Sequence, residues 1–370
     1  MLGVPRTGVA ARHPLKTGWH AQSLTFTANL CTGPCQVRAG WLLRYCAPMQ
    51  AILAVTLPFF ALVLCGYLAA RQGVLAESAI PGLNGFVLFF ALPCMLFRFG
   101  MNTRVAELLD PRVLGLYGLC ALLMVGLTLR LTLSARVGLK DAAFGALVAA
   151  FPNTGFMGVP LLVALLGPAA AGPVICTVLT DLFLTSSLCI ALARAHDASA
   201  GNARAAAWQA LRGALSNPLP WAIALGALAS ITGLRPPDPV DAVIRMLADA
   251  ATPVALFTIG AVLWRAGRHA HSRTPPALYL PVAALKLGLH PALVFGLGWG
   301  LQRAGLGPSD FQLMVLTLAA ALPSASNVSL LAERYGADNG RVARIIMAST
   351  ALAFLSFSAL AWCFGIGTGA

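Results

Sequence analysis

From residue 50 to residue 366 the chain is a succession of apolar stretches, each about as long as a bilayer crossing, separated by short polar turns. A hydrocarbon core of about 30 Å needs roughly 20 apolar residues per helix. No water reaches that core, so each crossing must satisfy its own backbone N–H and C=O groups, which a continuous helix does and a broken one does not. Ten spans fit this ruler, at approximately 50–70, 79–100, 111–133, 141–165, 168–194, 217–233, 239–266, 276–302, 309–333 and 338–366. Turn pairs mark the divisions: Asp110-Pro111, Gly167-Pro168, Asn217-Pro218, Pro236-Pro237, Pro275-Pro276 and Gly307-Pro308. Only 10% of residues are charged, where soluble domains carry roughly 25%. The fold class is an all-α membrane protein.

The net charge of +13 is spread as single and paired basic residues between apolar stretches, the pattern of membrane loops and not of a nucleic-acid surface. None of Lys16, Lys140 or Lys286 follows a glycine-rich phosphate loop, so the chain has no ATPase motif of its own. Six of the nine cysteines fall singly inside apolar spans, and Cys31, Cys35 and Cys46 lack a histidine in zinc-site order. No metal or cofactor is expected. Residues 1–48 contain Arg6, Arg12, Lys16, Arg38 and Arg44 and no acid. They read as a disordered or non-native extension, with Met49 as the natural start.

The two halves repeat one another. Leu57-Pro58 with Gly66 answers to Leu219-Pro220 with Gly226, Phe90-Ala91-Leu92-Pro93 to Ala250-Ala251-Thr252-Pro253, and Pro152 to Pro323, at offsets of about 160 to 170 residues. A duplicated five-helix unit leaves such echoes. Five crossings being odd, the second copy enters from the opposite face, giving an inverted repeat. The expected organisation is a first unit over 49–194, a loop over 195–216 and a second unit over 217–370. One set of alternating loops holds thirteen Lys and Arg residues and the other five. By the positive-inside rule the first set, including loop 195–216, is cytoplasmic and both termini face outward.

Spans 4 and 9 are interrupted at matched places, Phe151-Pro152-Asn153-Thr154-Gly155-Phe156-Met157-Gly158 and Ala321-Leu322-Pro323-Ser324-Ala325-Ser326-Asn327. A paired break of this kind is the sequence mark of a transport site at the bilayer midplane. With Pro152 and Pro323 as the crossover, Asn153, Thr154, Ser324, Ser326 and Asn327 supply oriented donors, and Gly155 and Gly158 allow close approach. Two helix N-termini facing one another favour an anion. The bland alternative is a pair of proline kinks with polar residues gluing helices together. Asp181, in mid-span, needs a partner or a role. It is either a proton-coupling carboxylate or a structural one. Lys286 and His290 share a helix face four residues apart and could neutralise Asp181 or a bound carboxylate, the alternative for Lys286 being to snorkel to an interface, with His290 read as a packing or capping residue.

The string Pro152-Asn153-Thr154-Gly155-Phe156-Met157-Gly158-Val159-Pro160-Leu161-Leu162 resembles the auxin efflux carrier family, which joins plant auxin exporters to bacterial organic-acid carriers. Phe90–Pro93, Pro253–Gly260, Lys286-Leu287 with His290-Pro291, and Ala321-Leu322-Pro323 with Asn327 and Tyr335-Gly336 continue the resemblance across residues 49–366. It implies two inverted five-helix units, broken helices 4 and 9 crossing beside the substrate, elevator-type alternating access and a homodimer. The short central loop is unlike the plant members and turns the expectation away from auxin. The reading is a secondary carrier for a small organic anion, a dicarboxylate such as malate or malonate, in a bacterial inner membrane, either a uniport running as efflux or an importer with proton or sodium coupling. A sodium-coupled carrier of the bile-acid type and a non-transporting membrane sensor are the alternatives. No H-E-x-x-H or G-x-S-x-G string supports an enzyme.

Overall fold

The computed structural model describes residues 35–195, 208, 212, 213, 215–268 and 274–366, with side chains over 50–194, 208, 212, 213, 215–268 and 274–366. The apolar helices from Gln50 onward lie in one compact unit, 45–370. Most of the expected loop 195–216 lies outside the described residues.

Among those residues the protein is helical, with only two isolated bridges of extended backbone. Seven helices are long and apolar enough to cross a bilayer. They are α1, whose apolar part is Gln50–Arg71 of a helix starting at Cys35; α2 (Glu77–Asn102); α3, whose main body is Pro111–Thr132; α6 (Pro168–Arg194); α8 (Asp238–Arg268); α9 (Pro276–Arg303); and α12 (Asn339–Cys363). The shorter pieces are α4 (Leu139–Ala150), α5 (Thr154–Leu166), α7 (Pro218–Thr232), α10 (Asp310–Ala320) and α11 (Val328–Arg334). At 1.5 Å per residue none of these is longer than about 23 Å. Taken in pairs, α4 with α5 and α10 with α11 occupy the fourth and ninth expected spans.

The helix boundaries follow local chemistry. Asp110 accepts from Arg112 N–H at 2.9 Å, and Asn217 from Leu219 N–H at 3.0 Å, so each capping residue precedes a proline that needs no donor of its own. Ser309 and Gln312 close a reciprocal capping box at α10, at 3.2 and 2.9 Å. Helix α7 stops at Gly233, whose φ of 68° is left-handed.

Four helices, α1, α2, α7 and α8, meet through glycine. A Cβ on Gly66 would overlap the Phe257 carbonyl oxygen, and one on Gly260 would overlap that of Val63, so α1 and α8 touch backbone to backbone. Helices α2 and α7 do the same at Gly100 and Gly226, where a Cβ on Gly100 would stand 3.0 Å from the Ile223 carbonyl oxygen. In lipid, where apolar burial between helices gains little, such close approach is a main source of packing energy. Gly66 and Gly226 are separated by 160 residues, and so are Gly100 and Gly260.

The broken helices occupy the interior of the other group. Every residue of α4 from Ala142 to Ala150 is buried, as are Val315 to Ala320 of α10. Helix α4 packs on α3 and α6, and α9 on α10 and α12. Leu57, Leu64, Leu131, Leu225 and Leu355 are exposed, as expected of side chains facing acyl chains.

Candidate functional site

Proline ends each inner helix because it lacks an N–H and forces its predecessor out of the helical region. Phe151, before Pro152, is extended at φ −105° and ψ 94°. At the second break α10 ends at Ala320, and the chain turns through Ala321 and Leu322 into Pro323. The two freed backbones then satisfy one another. Asn153 N–H donates to the Pro323 carbonyl at 2.8 Å, and Ala325 N–H to the Phe151 carbonyl at 3.0 Å. Pro152 and Ser324 thereby form an antiparallel bridge in the middle of a helical protein.

The backbone groups freed at the two breaks are therefore not all open to a ligand, as their proline spacing suggests: the bridge uses two of the N–H groups. A third, Ser324 N–H, donates to Ser349 Oγ of α12 at 3.2 Å. The two helices that follow are also unequal. Helix α5 begins with a π turn over Thr154–Gly158, whereas α11 has only seven residues and supplies little dipole. What remains beside the bridge is side-chain chemistry. Thr154 Oγ1, Ser324 Oγ and Asn327 Oδ1 are buried and make no hydrogen bond among the described residues. Asn153 and Ser326 are buried next to them. The glycines divide in role: a Cβ on Gly158 would stand 2.7 Å from Leu322 Cδ1, whereas one on Gly155 would meet nothing within 4 Å. Gly158 is therefore the close-approach glycine, and Gly155 faces open space. Helix α8 packs against the same π turn. A cavity of about 660 Å³ between α8, α11 and the start of α12 reaches Ser329, whose hydroxyl donates to the Ser326 carbonyl at 2.8 Å.

A second polar cluster lies behind the bridge. Asp181, Lys286 and His290 are fully buried. Tyr117 OH donates to Asp181 Oδ2 at 3.3 Å, and Thr185 Oγ1 to Oδ1 at 3.2 Å. Lys286 Nζ donates to the Ala320 carbonyl at 2.6 Å and lies 3.2 Å from His290 Nδ1. The Tyr117 and His290 rings, 5.8 Å apart, join the two halves of the cluster. Lys286 thus places its ammonium at the carbonyl end of α10, where the helix dipole favours a cation. His290 is the neighbour of that ammonium and not a cap. Asp181 opens a π turn over Asp181–Thr185, and Lys286 lies within another over Leu285–Leu289. Such turns insert a residue into a helix and re-aim side chains. Tyr117, Thr185 and Ser349 were not singled out from the sequence: a tyrosine or hydroxyl in an apolar span gives no signal until its partner is known.

With this geometry in place, similarity to known proteins decides the family. A family model described as "Membrane transport protein" matches residues 51–361. The chain belongs to that family. This membrane transport protein is 30% identical over 320 residues to the "Putative malonate transporter" of Rhizobium meliloti (strain 1021), covering 84% of this chain and 95% of that protein. It is 26% identical over 284 residues to the "Uncharacterized transporter YfdV" of Escherichia coli (strain K12), covering 75% of this chain and 87% of the other. It is also 29% identical over 127 residues to "Auxin efflux carrier component 3a" of Oryza sativa subsp. japonica, covering 32% of this chain and 20% of that one. The family is that of the auxin efflux carriers, and this multi-pass membrane protein is a transporter and not an enzyme.

Proposed function

We propose that this membrane transport protein is a secondary carrier for a small organic anion of the dicarboxylate class, malonate and malate being the representatives, in a bacterial inner membrane. The observation that carries the reading is the bridge between the two breaks, with the unpartnered hydroxyls of Thr154 and Ser324 and the open face of Gly155 beside it. Hydroxyl and amide donors from Asn153, Thr154, Ser324, Ser326 and Asn327 suit a carboxylate. The name of the Rhizobium relative supports the choice of malonate.

The architecture proposed is a ten-crossing inverted repeat with α4–α5 and α10–α11 as the crossover helices. Its support is the pair of glycine crossings that share one 160-residue offset. In an elevator cycle the bridged breaks travel as one piece with α3 to α6 and α9 to α12, past the glycine-joined quartet. Both termini face outward, and the unit pairs as a homodimer. Lys286 compensates charge at the bridge, and Asp181 is the coupling carboxylate. Importing a dianion against a potential negative inside costs about twice 2.3 kcal/mol per 100 mV, so uptake requires a co-transported cation.

The test is a thermal-shift screen of the purified protein with malonate, malate and acetate, followed by counterflow of labelled malonate in proteoliposomes. The dicarboxylates raise the melting temperature by linkage and acetate does not. Asn153→Ala removes both the shift and the counterflow. A full malonate shift in that variant would place the ligand away from the bridge, and exchange that stops without sodium would favour the bile-acid type of coupling.

A further inference from the structure

Arg341, at the start of α12, is 2% exposed, yet among the described residues no carboxylate stands at ion-pair distance from its guanidinium. Its Nε donates to the Leu278 carbonyl at 3.0 Å and its Nη1 to the Asp141 carbonyl at 2.9 Å. The two nearby acids are otherwise engaged: Asp141 Oδ1 accepts from Asp338 N–H at 2.7 Å, and Asp338 Oδ1 from Arg341 N–H at 3.0 Å. Gly145 makes room for the group, since a Cβ there would stand 2.8 Å from Nη1. The Asp141 and Asp338 carboxylates attract this buried cation from beyond ion-pair distance, its direct hydrogen bonds go to neutral carbonyls, and the part of its desolvation cost that remains falls if an anion reaches it.

Arg341 lines a cavity of about 560 Å³ between the end of α3 and the start of α9. Leu131, Pro281, Leu285 and Leu289 form an apolar wall. At the rim, Ser134 and Val137 close a tight turn with reciprocal backbone hydrogen bonds of 3.2 and 3.1 Å, which places Arg136 in that turn. One charged donor set beside a long apolar wall matches an amphiphile with an anionic head. By the distribution of basic loop residues this end is cytoplasmic, where anionic lipid headgroups meet basic pockets between helices.

We infer that the cavity between α3, α9 and α12 seats an anionic phospholipid, its phosphate on the Arg341 guanidinium and an acyl chain along Leu131, Pro281, Leu285 and Leu289. Leu285 and Leu289 bound the π turn that carries Lys286, so the seated lipid steadies the turn that holds the ammonium on the Ala320 carbonyl. That consequence for transport rests on the proposed function; the lipid site itself does not.

The experiment is a thermal-shift titration of delipidated protein, in detergent, with phosphatidylglycerol, phosphatidylcholine or inorganic phosphate. Phosphatidylglycerol at about a hundredfold excess over its dissociation constant is expected to raise the melting temperature by about 5 °C, the other two by less than a third of that. Arg341→Ala and Ala277→Trp, the latter filling the cavity from its rim, each abolish the difference between the two lipids. Should Arg341→Ala fail to fold, Ala277→Trp alone decides. Equal shifts from both lipids, an equal shift from inorganic phosphate, or a phosphatidylglycerol shift that survives Ala277→Trp would overturn the assignment. Because no arm uses malonate, a carrier reading that fails leaves this outcome intact, and the converse holds.

Discussion

The quartet α1, α2, α7 and α8 and the body built on the broken helices solve the same packing problem by opposite means. In the quartet, glycine removes the side chain at Gly66, Gly100, Gly226 and Gly260, and the helices touch through their backbones. In the other body the backbone is interrupted and repaired, at Pro152 and Pro323 by a bridge and at Ala320 by the Lys286 ammonium. Among the described residues, the first arrangement leaves no buried side-chain nitrogen or oxygen without a partner. The second leaves several, including Thr154 Oγ1, Ser324 Oγ and His290 Nε2. Rigidity and chemistry have therefore been assigned to different helices.

If that division holds, the quartet responds to volume and the broken-helix body to polarity. The largest effect is expected at the tightest crossing: Gly66→Ala or Gly260→Ala should lower stability by about 3 kcal/mol or prevent folding, whereas Gly100→Ala, with 3.0 Å of clearance, should lower it by about 1 kcal/mol. Melting temperature and monodispersity in detergent give the order. Lys286→Met should cost about 2 kcal/mol, because the Ala320 carbonyl loses its donor within the bundle; a neutral result would show that the ammonium is not structural. Ser349→Ala should cost about 1 kcal/mol by stripping the partner from Ser324 N–H, and Ser349→Thr should restore it. The smallest stability change is expected for Gly155→Ala, near zero because nothing lies within 4 Å, accompanied by a loss of malonate counterflow if substrate fills that space. Asp181→Asn keeps one acceptor oxygen, for Tyr117 or Thr185, and turns an N–H donor toward the other hydroxyl, which can rotate to accept it, and so separates the two meanings of that carboxylate. A stable variant whose uptake no longer responds to a pH gradient is expected from a coupling role, and unchanged flux would exclude it.

Much of this was legible in the chain because hydropathy and turn residues are local signals. Seven of the expected spans fall on helices long and apolar enough to cross a bilayer, the other three on shorter helical pieces, and Asp110, Asn217 and Ser309 mark helix starts through hydrogen bonds to their own near neighbours. Proline likewise announces that a helix stops at 152 and 323. What proline does not announce is where the freed groups go, since the partner of Asn153 N–H lies at Pro323, in the other half of the chain. The same holds for Tyr117 with Asp181 and for Arg341 with Leu278. Gly155 and Gly158 look alike in sequence and differ only in what surrounds them. The π turns at Asp181–Thr185 and Leu285–Leu289 leave no trace in composition because they change the register of a helix and not its residues.

The two hydrogen bonds between residues 151–153 and 323–325 are made by main-chain atoms alone. Side chains at 153, 154, 324 and 326 can be exchanged without cutting that stitch, provided no proline is introduced at a donor position. A lineage of such transporters is thereby free to vary the side chains around the crossing by small steps, each intermediate keeping the same backbone seam.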